Sequence, residues 1–391
     1  MTHSTILTLS ALMAISMLAT SCGPKETATL SDDTIDLTPA FESGDTVNFY
    51  DILDTAYVIR LETSDECLIG SASYRVLDKY ICVSRRNSST PILFFDRNGK
   101  FVNSIKEGNG PGELQDTYSL RIVDDKKRNR IIVQNMDQLK YYDYDLKYTG
   151  SSKLPYYGYG GFGVAADNYV LWVSFYNPGK PEWGEFTDCN LLIIDTNMNI
   201  LDGYVHYKLH WTGPTPPHTP VNPFLGGSFV QGNDYVFFQE VQWDTLFVYD
   251  TAFHALAVNY PNKANINIEE INNDNMYAFK NGEKNNYIER IMNFENYILF
   301  IINPAGWVLY STSTKKSVFI KPFPYSYAYR FGNCAVEPFD YEDLERCKDN
   351  DEAKLSELKR VLSESDYAKL ESLTEDDNPA LVIYQLKKTI E

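Results

Sequence analysis

The sequence predicts an all-β fold, a six-bladed β-propeller made of four-stranded antiparallel blades. Three observations predict it: an apolar strand that enters a short polar turn recurs along the chain, tight hairpins separate the strands, and a spare N-terminal strand can complete the last blade. Repetition at roughly 40 to 60 residues in strand–turn–strand units is typical of propeller blades. The repeated motif reads ILFFDRNGK at 92–100, LKYYDYDLK at 139–147, LLIIDTNMN at 191–199, TLFVYDTAF at 245–253, WVLYSTSTK at 307–315 and ALVIYQLKK at 380–388.

The first repeat contains all four strands of a blade. Asn98-Gly99 is a strong hairpin signal because both residue types tolerate positive φ, and Asp78-Lys79 forms a second short turn. These turns separate strands predicted at 71–77, 80–84, 92–95 and 101–105.

The last repeat lies so close to the C-terminus that no outer strand can follow it. Residues 381–386 form its late strand, whereas the segment 57–61 near the N-terminus alternates apolar residues and has no blade of its own. Pairing these two segments removes the open sheet edges that invite aggregation. We therefore expect an N-terminal strand to close the ring, with the propeller spanning residues 57–391.

The β pattern is interrupted at residues 341–373. Leu355, Leu358, Val361 and Leu362 form a helical apolar stripe, and Ser365-Asp366 can cap a second short helix. We expect a helical insertion that packs across the last blade; the alternative is a helical pair that docks a partner.

The N-terminus reads as an export signal. Residues 6–18 are apolar but too short to span a bilayer, and the small residues that precede Cys22 are typical of a bacterial lipobox. We expect residues 1–21 to be a lipoprotein signal peptide, Cys22 to carry the lipid, and residues 22–56 to form an acidic tether. The alternative is an ordinary signal peptide. Gly23 after the anchor favours the outer membrane of the cell envelope, facing either the periplasm or the cell surface.

Composition narrows the classes of partner. Asp plus Glu outnumber Lys plus Arg by 53 to 35, which gives a formal net charge of −18. Such a surface repels nucleic acid, so we expect no nucleic-acid partner. The 29 Tyr and 21 Phe suit strands and aromatic binding surfaces. No GxSxG, HExxH, Walker or dinucleotide fingerprint survives inspection in its sequence context, and we expect no cofactor.

The cysteines predict little chemistry. With Cys22 acylated, five cysteines remain and none forms a CxxC motif. Cys82 alternates with apolar strand residues and is expected to be a buried thiol, whereas Cys334 and Cys347 are a possible disulfide.

Two segments carry a family resemblance. FDRNGKFVNSIKEGNGPGEL at 95–114 and DNPALVIYQLKK at 377–388 resemble the signature and closing strand of six-bladed β-propeller lipoproteins of Bacteroidetes, which are NHL-like propellers. The resemblance covers essentially the whole mature chain. It implies the fold and an envelope location, and it supplies no catalytic residues.

The GNGPGEL stretch at 108–114 suggests a phosphate-binding loop, but such loops need a helix to follow them. Here a strand is expected next, at Leu120. The glycines then serve a tight turn between blades, and Glu113 is expected to bond backbone amides.

Loop lengths point to the candidate binding face. The connections after the second and fourth strands of the blades contain the long segments 175–189, 204–227, 259–286 and 338–378, so that face is expected to carry function. Aromatic faces beside amides and carboxylates suit sugars or peptides. The alternative is that these aromatic residues pack loops over the blade ends. The predicted ligand-binding residues are Trp183, Trp211, Trp243, Trp307, Tyr157, Tyr159 and His210.

A metal site is not expected. His206, His210 and His218 lie close in sequence, but the prolines at 214, 216, 217 and 220 argue for extended chain rather than a ligating helix.

These observations favour a non-enzymatic binding protein, anchored to the membrane through Cys22, that recognises a glycan, a peptide or a protein. One alternative is a propeller enzyme that acts on polysaccharide, by hydrolysis or lyase chemistry, although no carboxylate pair stands out among the acidic residues. Another is a structural subunit of an envelope complex.

Overall fold

Antiparallel sheets of consecutive strands dominate the structure. The computed structural model describes residues 34–85, 88–115, 120–135, 137–155, 161–173, 186, 189–206, 228–232, 234–239, 244–263, 285–323 and 329–389. In this part of the chain the strands form six sheets. The predicted six-bladed propeller is therefore confirmed.

Four elements precede the first complete blade: β1 (Ile35–Asp36), α1 (Thr38–Ser43), β2 (Thr46–Asn48) and β3 (Leu53–Arg60). Each blade then runs outwards from an innermost strand. Blade 1 comprises β4 (Ala72–Val76), β5 (Tyr80–Arg85), β6 (Ile92–Asp96) and β7 (Phe101–Ile105), and blade 2 comprises β8 (Arg121–Asp125), β9 (Arg130–Asn135), β10 (Gln138–Asp143) and β11 (Tyr148–Lys153). Blade 3 comprises β12 (Phe162–Ala165), β13 (Asn168–Trp172), β14 (Cys189–Ile194) and β15 (Ile200–His206), and blade 4 comprises β16 (Ser228–Gln231), β17 (Val236–Gln239), β18 (Thr245–Tyr249) and β19 (Phe253–Asn259). Blade 5 comprises β20 (Tyr287–Asn293), β21 (Tyr297–Asn303), β22 (Gly306–Ser311) and β23 (Ser317–Lys321), and blade 6 contains β24 (Tyr329–Phe331), β25 (Cys334–Phe339) and β26 (Ala380–Leu386).

The repeated motif is the third strand of every blade. In β6, Leu93 and Phe95 pack towards blade 6, whereas Ile92 and Phe94 pack towards blade 2. All four are fully buried. A third strand has a neighbouring blade on both faces, which explains why the motif is a continuous apolar run rather than an alternating one.

An N-terminal strap, residues 35–60, runs along the outer edge of three blades. β1 pairs in parallel with β19 of blade 4, and β2 pairs in parallel with β23 of blade 5. A 3₁₀ turn at Phe49–Ile52 then leads into β3. Sequence analysis assigned residues 22–56 to a tether. Residues 35–56 differ from that assignment, because they add strands to three sheets and bury apolar side chains.

The ring is closed as expected. β3 pairs antiparallel with β26, so that the outer strand of blade 6 comes from the N-terminus. The pair begins at Leu53 rather than at Tyr57, because the register continues past Ala56 to the end of β26. The innermost strand β24 contacts β4, and blade 6 thereby meets blade 1.

The predicted helical insertion lies between β25 and β26. In the described residues it consists of α2 (Tyr341–Asn350), α3 (Glu352–Val361) and α4 (Glu364–Glu371). Leu358 is fully buried and packs with side chains of blades 5 and 6, so the insertion covers the last blade, as expected. Sequence analysis missed α2, which begins with a capping box between Asp340 and Asp343.

The cysteines of the described part are all free thiols. Cys82 is fully buried within its strand, as expected. Cys334 and Cys347 are also free, so the disulfide that was considered for them does not form in the structure.

Candidate functional site

The propeller has two unlike faces. Short turns follow the first and third strands of the blades; we call this side the short-turn face, and it includes 77–79, 97–100, 126–129, 144–147 and 195–199. The opposite side, which we call the long-loop face, carries the connections after the second and fourth strands. Its longest connections are 173–188, 207–227, 260–286 and 340–379.

The aspartate that ends the repeated motif is a turn residue on the short-turn face. Asp96 Oδ1 accepts hydrogen bonds from the backbone N–H of Asn98 at 2.8 Å and of Lys100 at 3.0 Å. Asp143 and Asp195 repeat this arrangement. Hydrogen bonds from Asn199 hold the pKa of Asp195 below its usual value. These carboxylates are occupied by the backbone, which explains the motif without any chemical role.

Only one of the seven predicted ligand-binding residues lies in the described part of the chain. Trp183, Trp211, Trp243, Tyr157, Tyr159 and His210 all lie outside the described residues. Trp307 lies on β22, half-buried, and its ring meets Phe323 edge-on at 5.3 Å between centroids. It also packs against the core beneath the helical insertion. The role of these residues in binding stays a prediction.

The glycine-rich link between blades 1 and 2 is a packed turn on the long-loop face. Glu113 Oε2 accepts a hydrogen bond from the Gly110 N–H at 2.8 Å, as expected. The buried Lys140 donates to the carbonyl oxygens of Pro111 and Glu113, and Tyr142 donates to that of Gly112 at 2.9 Å. A loop whose groups are bonded inside the protein has a structural role, which agrees with the interpretation preferred from sequence.

The helical insertion starts on the long-loop face and covers the outer edge of β3. The Val58 N–H donates to Asp366 at 3.2 Å, and the Val58 carbonyl accepts from Lys369 at 2.9 Å. Arg60 forms an ion pair with Asp377 at 2.7 Å. Side chains therefore satisfy an edge that would otherwise be open to another strand.

A pocket of about 290 Å³ lies between the first half of β3 and the end of α3. Arg360 and Asp51 form an ion pair across it at 2.8 Å, and Lys387 donates to the Asp51 carbonyl. Arg360 and the Asp51 carboxylate are thus bonded to each other, and Lys387 is bonded to the backbone. The pocket is lined by Tyr50, Asp51, Leu53, Asp54, Thr55, Ala56, Arg360, Val361 and Lys387.

The innermost strands surround the central channel of the ring, and arginines recur on them. The innermost strands of neighbouring blades contact one another from β8 to β12, from β12 to β16 and from β16 to β20. Arg75 lies on β4, Arg121 on β8, Arg290 on β20 and Arg330 on β24. Four arginines of a chain with a net charge of −18 therefore lie on innermost strands, two of which, β8 and β20, also carry acidic residues.

Arg75 has a lowered pKa. Burial, together with the positive charge of Arg121, lowers the pKa of Arg75 to about 10. Although protein atoms surround the guanidinium, part of the side chain's surface is open to solvent. Sequence reasoning missed this residue. The signal was a single charge within an otherwise uncharged stretch, SYRVL at 73–77.

No three His, Cys, Asp or Glu side chains of the described residues are arranged to hold a metal ion. No helix in this part of the chain is both long enough and apolar enough to cross a bilayer.

Six four-stranded blades around a channel, with the ring closed by an N-terminal strand, define a six-bladed β-propeller protein. The chain belongs to the family described as Domain of unknown function (DUF4934), whose model matches residues 32–385. None of the curated proteins compared with the chain matches it.

Solved structures from Bacteroides species share the fold. A protein from Bacteroides fragilis that is described as exported has a TM-score of 0.63 and 18% identity, over 91% of this chain and 100% of that protein. A member of the DUF4221 family from Bacteroides vulgatus has a TM-score of 0.50 and 12% identity, over 86% of this chain and 97% of its own. At these identities the similarity concerns the fold.

Proposed function

We propose that this protein is a binding module of the bacterial cell envelope, which uses the long-loop face to recognise a glycan, a peptide or a protein. The contrast between the two faces carries the proposal. A rigid ring with short, self-bonded turns on one side and long insertions on the other suits recognition by loops on a fixed scaffold. The protein acts by binding rather than by catalysis.

Anchoring to the outer membrane is part of the same proposal. The small residues before Cys22 fit a lipobox, and one solved structure with this fold is of a protein described as exported. A lipid on Cys22 would tether the propeller through residues that precede β1 at the rim of blade 4.

Metabolic labelling with radioactive palmitate, followed by membrane fractionation, tests the anchor. The full-length protein should take up label and sediment with outer membranes, whereas Cys22→Ala should remain unlabelled and become extractable without detergent. Ser21→Ala keeps the thiol and is the matched control. A Cys22→Ala variant that still sediments as an integral envelope protein contradicts lipid anchoring.

A thermal-shift screen of residues 23–391 against oligosaccharides and peptides tests the binding face. A bound ligand should raise the melting temperature, and Trp183→Ala or Trp211→Ala should reduce the rise. Lys147→Ala on the short-turn face is the control and should leave it unchanged. Turnover of the ligand, detected by product analysis, contradicts a purely binding role, and ligand binding that only the Lys147 variant weakens contradicts the choice of face.

A further inference from the structure

Arg75 stands in the wall of the central channel. Its Cα partner across the sheet is Cys82, which is fully buried and packs towards blade 2. Directly paired residues project to the same face of a sheet, so Arg75 projects towards the junction of blades 1 and 2. Part of the side chain's surface is open to solvent, and its strand β4 is an innermost strand of the ring.

Among the described residues, this guanidinium has no partner of opposite charge. Within the described part of the chain Arg75 makes no hydrogen bond and no ion pair, and the charged residue that acts on it most strongly is Arg121, which has the same sign. Arg121 has contacts of its own. A cation held away from bulk water beside another cation costs free energy unless something compensates it.

The next blade junction shows how this chain treats a buried charge that only stabilises the fold. Asp125 is fully buried, and Arg128 and Arg130 each contact one of its carboxylate oxygens at 3.0 Å. Arg130 also donates to the Tyr169 hydroxyl. With 53 acidic residues in the chain, the absence of a carboxylate beside Arg75 among the described residues does not reflect a shortage of acids.

We propose that Arg75 binds an oxyanion, a carboxylate, phosphate or sulfate group, of a ligand that enters the central channel. The planar guanidinium presents paired N–H donors that match the geometry of such a group. Arg121 adds positive potential, and a channel with walls of low dielectric constant concentrates that potential on an entering anion. The proposal depends neither on a lipid anchor nor on the residues of the long-loop face.

Without a bound anion, the charge of Arg75 should then lower the stability of the folded protein. Arg75→Met removes an uncompensated cation and keeps an unbranched apolar side chain of similar reach. It should raise the melting temperature of residues 23–391 by about 1–3 °C in chloride buffer. Arg346 is a suitable control because it is exposed and pairs with Asp343 on α2, so Arg346→Met should leave the melting temperature unchanged or lower.

Anion binding is measured with sodium phosphate, sodium sulfate and sodium citrate at millimolar concentration, with ionic strength held constant by sodium chloride. Isothermal titration calorimetry should detect at least one of these anions, and Arg75→Met should weaken that binding by about tenfold or more. Arg75→Lys keeps the charge without the paired donors and should bind with intermediate affinity. The identity of the binding anion distinguishes a carboxylate from a phosphate or sulfate group.

The outcomes are distinct. Loss of anion binding in Arg75→Met, with binding kept in Arg346→Met, supports the site. Equal binding by the protein and by Arg75→Met overturns it, as does a failure of all three anions to bind. A lower melting temperature for both Arg75 variants also overturns it, because Arg75 would then have an internal stabilising role.

Discussion

Lys354 and Glu337 form an ion pair beneath the helical insertion, with Nζ and Oε1 2.8 Å apart and side chains 15% and 7% exposed. Tyr384, which is fully buried, donates to the other oxygen of Glu337 at 2.7 Å. The pair thus links α3 to two strands of blade 6. A buried pair adds little net stability, but the loss of one member leaves the other charge without compensation.

Lys354→Met should therefore destabilise the protein by about 3–5 kcal/mol in urea unfolding. The double variant Lys354→Met with Glu337→Gln should recover most of that loss, because Tyr384 can still donate to an amide oxygen. Lys348→Met removes an exposed pair with Glu345 and is the control, with a much smaller effect. Equal losses in the single and double variants would contradict this account.

The ion pair between Lys354 and Glu337 should also make stability depend on pH. Burial alone would lower the pKa of Lys354, but the charge and hydrogen bond of Glu337 outweigh it and the pKa is raised. A raised lysine pKa gives stability that is complete below the unfolded value of about 10.4 and is lost as the pH rises through the folded value. The stability difference between the protein and Lys354→Met should be constant from about pH 8 to pH 9 and shrink above about pH 10.5.

At the scale of elements, α4 acts as a cover for the edge of β3. Asp366 accepts the Val58 N–H, and it also accepts hydrogen bonds from Ser363 and Lys369. Burial acts to raise the pKa of Asp366, but these hydrogen bonds outweigh it and the pKa is lowered. Stability from this carboxylate is therefore present above about pH 4 and is lost as the pH falls through the lowered folded pKa.

Asp366→Ala should cost about 1–2 kcal/mol at pH 7 and open the edge of β3 to association. Urea unfolding measures the first effect, and size-exclusion chromatography at increasing protein concentration measures the second. Asp349→Ala, on an exposed position of α2, is the matched control and should change neither. A monomeric, fully stable Asp366→Ala protein would show that α4 does not protect this edge.

The elements also show what the sequence could predict. The third strands are buried on both faces, so each leaves an apolar run that repeats, and six blades follow from it. β1 and β2 are too short to show any periodicity, and they pair with strands that lie more than 200 residues away. Such a pairing leaves no pattern in the local sequence. Residues 35–56 were therefore predicted to be part of a tether.

The candidate site was less predictable than the blades. Loop lengths follow directly from the spacing of the strands, so the long-loop face could be assigned from sequence. The position of Arg75 beside Arg121 could not, because it depends on how two neighbouring blades meet. A sequence gives the charge of a residue, whereas the distance to its nearest opposite charge is a property of the assembled ring.

At the scale of the whole molecule, the N-terminal strap and β26 hold the ring together. The strap buries Leu37 and Ala40 completely against blades 4 and 5, and its last part, β3, completes blade 6. The two ends of the chain therefore share one sheet. Their pairing is the step that turns a row of blades into a closed ring.

Deletion of residues 381–391 should unfold the entire propeller rather than blade 6 alone. It removes the partner of β3 and of β25 and exposes apolar surface that blades 1 and 5 cover. Far-ultraviolet circular dichroism should lose its native β signal, and the melting transition should disappear. Deletion of residues 388–391 is the control, since it leaves β26 and the Lys387 contacts to Asp51 and Ile52 in place.

Deletions from the N-terminus test whether closure of the ring, rather than the loss of contacts in general, determines folding. A chain that starts at residue 44 lacks β1 and α1 but keeps β3, so it should melt cooperatively at a lower temperature. A chain that starts at residue 61 lacks β3 and should fail to fold, as the C-terminal deletion does, because both remove one half of the same pair. If either closure deletion kept a cooperative transition near the native melting temperature, the blades would be stable without the closed ring, and the N-terminal strand would be an accessory rather than its closure.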